Sequence, residues 1–286
     1  MDRIATYKRT KEIVEANEFY FKKNFGQNFL IDQHVVNKIL NTADITNEDL
    51  IIEIGPGIGG LTQELLERAG KVVAIEIDTN LIPILKDNLI GYNNLEIINE
   101  DVLKVDLLKL IEESGYRKVK LVANLPYYIT TPIIMNLLEN NYPIDSIIVM
   151  IQKEVASRMS ADVNTKAYGS LTVVVNYFAD VYLAANVPQN CFIPRPKVDS
   201  AVIKITPHDP FKVKNEEFFF KLVKAAFSMR RKTLVNCLFS FDIGFSKDEI
   251  GDILESIGLD RKVRGESLSI EKYGELSDKI CEKRTK

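Results

Sequence analysis

Asn124-Leu125-Pro126-Tyr127 is the segment of this sequence whose residue types best fit a site for a planar amino group. The side-chain oxygen of Asn124 and the carbonyl of Leu125 are hydrogen-bond acceptors, and the Tyr127 ring offers a face on which a flat heterocycle stacks. Pro126 stiffens the turn between them. Two acceptors bound to one exocyclic NH2 group would direct its nitrogen lone pair towards an electrophile. We therefore predict a site that alkylates an amine on a base; a plain strand followed by a proline turn is the alternative.

The position of this segment supports a ligand site. It follows the apolar run Val119–Ala123, which is typical of a buried strand. In an open α/β sheet, ligands bind at the carboxyl ends of the strands. Asn124 is therefore expected at the edge of the sheet where a ligand would lie.

A glycine-rich segment, Gly55-Pro56-Gly57-Ile58-Gly59-Gly60, follows another predicted strand, Leu50–Ile54. With the acid Glu76 about 20 residues further on, it matches the fingerprint of dinucleotide-binding proteins. Two interpretations compete. In a nicotinamide enzyme the loop would hold a pyrophosphate, whereas in an S-adenosylmethionine enzyme the glycines let the backbone approach a cofactor without phosphate. Glu76 would bind ribose hydroxyls in both.

Two further acids favour the S-adenosylmethionine interpretation. Asp101, after the predicted third strand, is placed to accept from an adenine amino group. Glu53 puts a carboxylate beside the cationic methionine end of such a cofactor. A dehydrogenase would need a proton donor for its carbonyl substrate, and the sequence shows no obvious one. We therefore predict methyl transfer rather than hydride transfer.

With these residues assembled, the chain resembles the ribosomal RNA adenine dimethyltransferase family over nearly its whole length. The resemblance is carried by motifs at Lys22–Leu30, Glu53–Thr62, Asn124–Thr130 and Phe192–Val202, in this order. One branch of that family dimethylates two adjacent adenosines near the 3′ end of small-subunit rRNA, and another confers macrolide resistance by dimethylating a large-subunit adenosine. The N-terminal arm and the length of the C-terminal region resemble the first, housekeeping branch. A ribosome-assembly factor with secondary catalysis is a third possibility.

The resemblance implies a set of site residues and a mechanism without a general base. The implied cofactor-binding residues are Gln27, Asn28, Leu30, Gly55, Gly57, Glu76, Ile77, Asp101, Val102 and Asn124. The implied catalytic residues are Asn124, Leu125, Pro126, Tyr127 and Phe192. Asn124 and Leu125 would hold the target amine, Tyr127 would stack on the flipped base, and Phe192 would close its other side. Alignment of the amine with the methyl group would supply the acceleration.

The periodicity along the chain predicts an α/β fold. Short apolar strands alternate with helical segments from residue 50 to residue 151, which indicates a mainly parallel sheet with helices on both faces. The resemblance makes this a Rossmann-like class I methyltransferase sheet. Ser170–Tyr177 is β-branched and predicts a strand, and Ala201–Ile205 another. Residues 216–239, 247–257 and 267–283 predict helices. We expect an N-terminal arm at 1–22, a methyltransferase domain at 23–208 and a small helical RNA-binding domain at 209–286.

Charge is distributed unevenly. Residues 51–110 carry a balance of −5, whereas residues 220–234 hold five basic residues and no acid, interleaved with Phe220 and Phe227. Such a patch binds phosphate backbone locally, or is simply a solvated helix face. The predicted RNA-binding residues are Lys221, Lys224, Arg230, Arg231, Lys232, Arg195 and Lys197.

The remaining composition narrows the class of protein. Two histidines and three widely spaced cysteines give no zinc or other metal site and no disulfide framework. No run approaches the ~20 apolar residues of a membrane span, and the first residues lack the apolar core of a signal peptide. We expect a cytoplasmic monomer that acts on small-subunit rRNA in an immature 30S particle, with S-adenosylmethionine as cofactor.

Overall fold

Parallel strands form most of the main sheet. The computed structural model describes residues 2–19 and 26–284. The strands are β1 (Phe29–Leu30), β2 (Asp49–Ile54), β3 (Lys71–Ile75), β4 (Leu95–Ile98), β5 (Lys118–Asn124), β6 (Ser146–Gln152), β7 (Ala179–Val187), β8 (Phe192–Ile193) and β9 (Ser200–Pro207). The main sheet has the order β4-β3-β2-β5-β6-β9-β7, and β1 pairs with β8 in a separate two-stranded sheet. The five neighbouring strands β4, β3, β2, β5 and β6 run parallel to one another, and β9 is antiparallel to β6. The predicted α/β class is confirmed.

Seven of the helices connect strands, one precedes the first strand and four follow the last strand of the described chain. They are α1 (Tyr7–Ala16), α2 (Gln33–Ala43), α3 (Gly60–Leu66), α4 (Leu81–Asn88), α5 (Leu107–Ser114), α6 (Thr130–Glu139), α7 (Lys153–Met159), α8 (Ser170–Phe178), α9 (Glu216–Ala226), α10 (Leu234–Ser240), α11 (Lys247–Ser256) and α12 (Ile270–Arg284). In the described part of the chain, no helix is both long and apolar enough to span a membrane.

The order of the strands creates the place for a ligand. Strand β2 lies between β3 and β5, so the chain leaves β2 on one side and returns on the other. All six residues of β2 are buried, as expected for a strand covered on both faces. A crevice opens at such a reversal, outside the carboxyl ends of the strands. The glycine loop after β2 and the Asn124 segment after β5 therefore meet at one edge.

The N-terminal segment packs on the helix that follows the glycine loop. The predicted N-terminal arm contains helix α1. Ahead of it, the backbone N–H of Ile4 donates to Oε1 of Gln63 at 2.9 Å, and Ala5 is fully buried. The end of the predicted arm, and Lys22 and Lys23 in the first motif of the resemblance, lie outside the described residues. The described part of the arm thus packs against α3.

The chain separates into two compact units, residues 1–156 with 181–207 and residues 157–180 with 208–286. The change at Pro207 coincides with the boundary expected near residues 206–210. Residues 157–180 were assigned to the larger domain from the sequence, whereas in the structure they belong to the second unit.

The strand predicted at Ser170–Tyr177 is wrong, because this segment forms helix α8. Helix propensities of β-branched residues fall only a few tenths of a kcal/mol below those of good helix formers, so packing decides. As a helix, the segment buries Val173 and Tyr177 one turn apart. The Tyr177 ring packs against Phe219 at 5.0 Å and Phe220 at 5.1 Å between centroids.

The helix predicted over residues 216–239 is interrupted. It ends as α9 at Ala226 and resumes as α10 at Leu234. Met229 is the only apolar residue between Ser228 and Lys232, so a continuous helix would have no apolar face to bury there. The basic residues of this stretch consequently lie partly in a turn.

Candidate active site

A cleft lies at the carboxyl ends of β2, β3 and β5, and the segment 26–30 forms one of its walls. The sequence-predicted residues that line it are Gln27, Asn28, Leu30, Gly55, Gly57, Glu76, Ile77, Asp101, Val102, Asn124, Leu125, Pro126 and Tyr127. The structure thus brings together residues from five separate segments.

Phe192 is the exception among the predicted cofactor and catalytic residues. It does not line the cleft but is 3% exposed within the core. Its backbone pairs with Leu30 across β1 and β8. Its ring is therefore buried among core side chains, and its role of closing the second face of a base stays a prediction.

The prediction from sequence missed the apolar part of the lining. These residues are Phe29, Ile54, Ile58, Leu61, Ile75, Leu81, Ile129 and Ile133. Most of them are immediate neighbours of motif residues, and that proximity was the available signal. They give the cleft the apolar surface that most cofactor sites have.

Gly57 shows why the loop needs glycine. Its φ is +61°, and a Cβ added there would lie 2.9 Å from Cε1 of Phe29. A side chain would therefore strain the backbone and displace the ring that lines the cleft. The loop is shaped for a close approach between backbone and cofactor.

The electrostatics of the described cleft residues disfavour a pyrophosphate. The acids Glu53, Glu76, Glu100 and Asp101 line it, and among the described residues no lysine or arginine does. The N–H of Gly57, which would face a phosphate in a nicotinamide enzyme, donates to Oε2 of Glu76 at 3.2 Å. Two anionic phosphates here would meet carboxylates instead of donors. The cleft fits a cationic cofactor.

Glu53 is the strongest indication of a cation. It is 1% exposed, and its Oε2 atom has no hydrogen-bond partner among the described residues. The pKa of Glu53 is raised to about 8, mainly by burial and in smaller part by the charge of Glu76, while the Thr62 hydroxyl opposes the rise. A buried acid that is protonated at neutral pH ionises when a positively charged ligand group lies beside it, so the surroundings of Glu53 fit the cationic end of a cofactor.

Glu76 is held rigidly for hydrogen bonding. Oε1 accepts from the N–H of Asp78 at 2.8 Å, and Oε2 accepts from Gly57 at 3.2 Å. Burial raises the pKa of this carboxyl, which is 5% exposed. A carboxylate has about four acceptor positions, so two remain for a pair of vicinal hydroxyls.

The far end of the cleft suits an adenine ring. Ile77 lines it with its side chain 43% exposed, which is an unusual state for an isoleucine and offers an apolar face. Asp101 uses Oδ1 to accept from the N–H of Leu103 at 3.1 Å, at the start of a short 3-10 helix. Asp101 also lines the cleft, where a carboxylate oxygen is an acceptor suited to an exocyclic amine. Together with Glu53 and Glu76, these residues fit S-adenosylmethionine.

Side-chain amides tie the segment 26–30 to the cleft. Nε2 of Gln27 donates to Oδ2 of Asp78 at 2.8 Å, and Nδ2 of Asn124 donates to the carbonyl of Asn28 at 2.9 Å. The second bond fixes the orientation of the Asn124 amide. Its nitrogen is engaged with the protein, which leaves Oδ1 as the atom that meets a ligand.

Hydrogen bonds to the neighbouring strand and to the residues that follow hold the turn after Asn124. The N–H of Leu125 donates to the carbonyl of Met150 at 3.1 Å. The Pro126 carbonyl accepts from the N–H of Ile129 at 3.2 Å and from Oγ1 of Thr130 at 3.0 Å. The acceptors of this segment are therefore preorganised. Such acceptors fit an exocyclic amino group, which they would align by hydrogen bonding without a general base.

All of the predicted RNA-binding side chains are exposed, and none forms an ion pair within the described residues; they are Lys221, Lys224, Arg230, Arg231, Lys232, Arg195 and Lys197. Lys221 and Lys224 lie three residues apart on α9, and Arg230 donates to the carbonyl of Lys166. The interleaved aromatics serve packing instead: Phe220 stacks on Phe178, and Phe227 contacts Tyr168 and Tyr273.

Metal ligation finds no support in the described part of the chain, where no group of three His, Cys, Asp or Glu side chains is placed to hold an ion.

The chain is similar to known proteins over nearly its whole length. The family model for ribosomal RNA adenine dimethylase matches residues 18–278. The ribosomal RNA small subunit methyltransferase A of Lachnoclostridium phytofermentans is 54% identical over 281 residues, covering 96% of this chain and 97% of that protein. The protein of the same name from Clostridioides difficile is 53% identical over 284 residues, covering 98% of both.

Two solved structures superpose on this chain. A dimethyladenosine transferase from Plasmodium falciparum superposes with a TM-score of 0.72 at 30% identity, covering 86% of this chain and 95% of that one. The 23S rRNA methyltransferase ErmE superposes with a TM-score of 0.69 at 25% identity, covering 89% and 100%. The chain thus shares its fold with a dimethyladenosine transferase and with a 23S rRNA methyltransferase.

Proposed function

Because the chain belongs to the ribosomal RNA adenine dimethylase family, we propose that it dimethylates N6 of two adjacent adenosines near the 3′ end of small-subunit rRNA, during ribosome maturation. S-adenosylmethionine is its methyl donor. The observation that carries the proposal is the Asn124 amide, whose nitrogen is bound to Asn28 so that its oxygen is left to accept from an amine. The acid-lined cleft beside it fits the donor.

The residues of the chain act by binding and orientation. S-adenosylmethionine supplies an electrophilic methyl group when bound. Asn124 and the Leu125 carbonyl accept from the target amine, which aligns its nitrogen lone pair, and the Tyr127 ring stacks on the base. Glu53, Glu76 and Asp101 hold the cationic, ribose and adenine portions of the cofactor. The methylated nitrogen releases its proton after attack, so the acids of the cleft are left for binding.

Sequence identity favours the small subunit over the large subunit as the substrate. Identity to the relatives named for the small subunit reaches 54%, against 25% for the 23S rRNA enzyme, although both share the fold. Since the targets of the small-subunit branch are ribosomal, the expected partner is an immature 30S particle. We propose that the protein acts on it as a cytoplasmic monomer.

The proposal is tested by incubating the protein with labelled S-adenosylmethionine and under-methylated small or large subunits, and by mapping the modified bases. Label on adjacent adenosines of the small subunit is the expected result. Label confined to the large subunit would favour the macrolide-resistance alternative. Tight binding to small subunits without label would favour an assembly factor.

Glu76→Ala is expected to weaken binding of S-adenosylmethionine by about 1–3 kcal/mol, because the acceptor for the ribose hydroxyls is removed. Isothermal titration calorimetry measures this effect. Glu112→Ala, which removes an exposed carboxylate on α5, is the matched control and should bind normally. Unchanged affinity of Glu76→Ala would remove this residue from the site, and tight binding of a nicotinamide dinucleotide by the wild type would contradict the cofactor assignment.

Replacing Arg230, Arg231 and Lys232 by alanine is expected to raise the KM for ribosomal subunits without changing cofactor affinity. These exposed cations would bind phosphates, which position an enzyme without reading sequence. The log–log dependence of binding on salt should flatten by roughly one unit for each phosphate-binding cation that is removed. Initial rates of methyl transfer at varied subunit concentration measure the KM, and filter binding across a salt series measures the slope.

The control for this variant removes equal charge elsewhere. Lys38, Lys109 and Lys118 are exposed lysines of the first unit, and their triple alanine variant should bind subunits with the wild-type salt slope. If both triple variants bind like the wild type, the basic turn after α9 is merely solvated. Arg195 and Lys197 are then the next residues to replace.

A further inference from the structure

Two hydroxyl groups meet at the wall of the cleft. The Tyr127 hydroxyl and Oγ of Ser200 are 2.5 Å apart, and either of them can donate. Tyr127 lines the cleft and is partly exposed, whereas Ser200 is fully buried. Their bond connects the aromatic residue of the acceptor segment to the first residue of β9. It thus links the Asn124–Thr130 motif to the Phe192–Val202 motif.

The backbone beside Tyr127 is fixed, but its ring needs a separate constraint. Hydrogen bonds of Leu125 and Pro126 hold the turn that precedes it. The χ2 torsion of a tyrosine has a broad energy minimum, so packing and polar contacts determine the plane of the ring. Within the described residues, Ser200 provides the hydrogen bond to the tip of that ring.

Ser200 is a rigid anchor for such a bond. It pairs with Gln152 in the antiparallel register of β6 and β9. The preceding residue, Asp199, accepts from the N–H of Lys153 at 3.0 Å through its carbonyl and from the N–H of Gln189 at 3.1 Å through Oδ1. The hydroxyl of Ser200 is therefore held by the sheet, as a support for a preorganised site must be.

We propose that Ser200 is a positioning residue, which sets the plane of the Tyr127 ring so that a target base stacks on it at the angle required for methyl transfer. The proposal rests on the proposed function and names how the Phe192–Val202 motif contributes to it. The motif acts through the hydroxyl of Ser200, while the ring of Phe192 is buried in the core. Burial raises the pKa of Tyr127, which keeps this hydroxyl protonated and able to donate at neutral pH.

A positioning role differs from a merely structural one in what it changes. Misalignment of a stacked base lowers kcat, because a displacement of about 1 Å costs up to ~100-fold in rate. KM for the RNA should change little, since phosphate contacts dominate its binding. Cofactor affinity should also stay constant, because neither hydroxyl belongs to the cofactor portion of the cleft. A merely structural bond would lower thermal stability and leave kcat intact.

The test is a double-mutant cycle of Ser200→Ala and Tyr127→Phe, assayed for methyl transfer to under-methylated small subunits. Each single variant should lose about tenfold in kcat, with KM and S-adenosylhomocysteine affinity within about twofold of wild type. The double variant should also lose about tenfold, because both changes break one bond. Ser146→Ala, a buried serine at the opposite end of β6, and Tyr182→Phe, an exposed tyrosine, are the matched controls and should retain wild-type kcat.

Either single variant at wild-type kcat would overturn the proposal, as would a double variant whose loss is the product of the two single losses. If Ser200→Ala does not fold, Tyr127→Phe decides alone, since its hydroxyl belongs to a partly exposed side chain. Wild-type turnover tests the proposed function separately. An active wild type with an equally active Tyr127→Phe variant would refute only the role of Ser200.

Discussion

Asn124→Ala should lower methyl transfer by about 10²–10³-fold, the loss seen when one preorganised hydrogen-bonding group is removed from an active site. The variant loses the acceptor for the target amine, and it also loses the bond from Nδ2 to the carbonyl of Asn28. Single-turnover transfer from labelled S-adenosylmethionine to small subunits measures the effect. Binding to subunits, measured by sedimentation, should be unchanged, because RNA affinity comes mainly from phosphate contacts.

Asn140→Ala is the matched control for this variant. Asn140 ends α6, is exposed, and donates to the carbonyl of Asn136 at 2.8 Å within its own helix. The control removes an identical side chain away from the cleft and should retain full activity. Parallel loss of methyl transfer and subunit binding by Asn124→Ala would mean that Asn124 only maintains the turn, and its role in the mechanism would be wrong.

Glu53→Gln is expected to stabilise the cofactor-free protein at alkaline pH. Burial raises the pKa of Glu53 from 4.5 to about 8, so the folded chain binds this proton more tightly than the unfolded chain. The stability that the group contributes is fully present below pH 4.5 and is lost as the pH rises through about 8. Glutamine mimics the protonated form at every pH. The variant should gain up to about 4 kcal/mol over wild type between pH 5 and pH 9.

Urea denaturation of both proteins across this pH range measures the difference. Glu112→Gln removes a carboxylate that is exposed, and its stability relative to wild type should not vary with pH in this range. A constant difference between Glu53→Gln and wild type would show that Glu53 titrates normally.

The same residue should couple cofactor binding to pH. A cationic ligand group favours the ionised form of Glu53, so binding at neutral pH releases a proton. Affinity for S-adenosylhomocysteine, which retains the ammonium group, should rise by up to about tenfold per pH unit below pH 8 in the wild type. Glu53→Gln should bind more weakly at pH 8 and show no such rise. Equal pH dependence in both proteins would place the cation elsewhere.

The sequence by itself determined where ligand-binding segments stand relative to the strands. Leu50–Ile54 and Val119–Ala123 are continuous apolar runs followed directly by the glycine loop and by Asn124. Both features are local, since a buried strand and the turn that ends it are specified by adjacent residues. Parallel strands bring such turns to one edge, so most predicted cofactor and catalytic residues do line the cleft.

Predictions from neighbouring residues were wrong where burial in the folded chain outweighs the local propensity for strand or helix. Ser170–Phe178 has the composition of a strand, yet it is a helix because Tyr177 packs on Phe219 and Phe220 from another part of the chain. Tertiary packing also determines the position of Phe192. Its motif indicates a site residue, whereas its ring is buried in the core. Neither outcome is encoded in the neighbouring residues alone.

Only the tertiary structure decided how the site residues are oriented and charged. The bond from Asn124 to Asn28 joins residues 96 positions apart, and the bond between Tyr127 and Ser200 joins residues 73 positions apart. The pKa of Glu53 depends on how completely the surrounding core excludes water. Hydrogen-bond direction and desolvation are set by distances between atoms that the chain brings together only on folding. The sequence therefore determined which residues form this site, and the fold decided which atoms of them face the ligand.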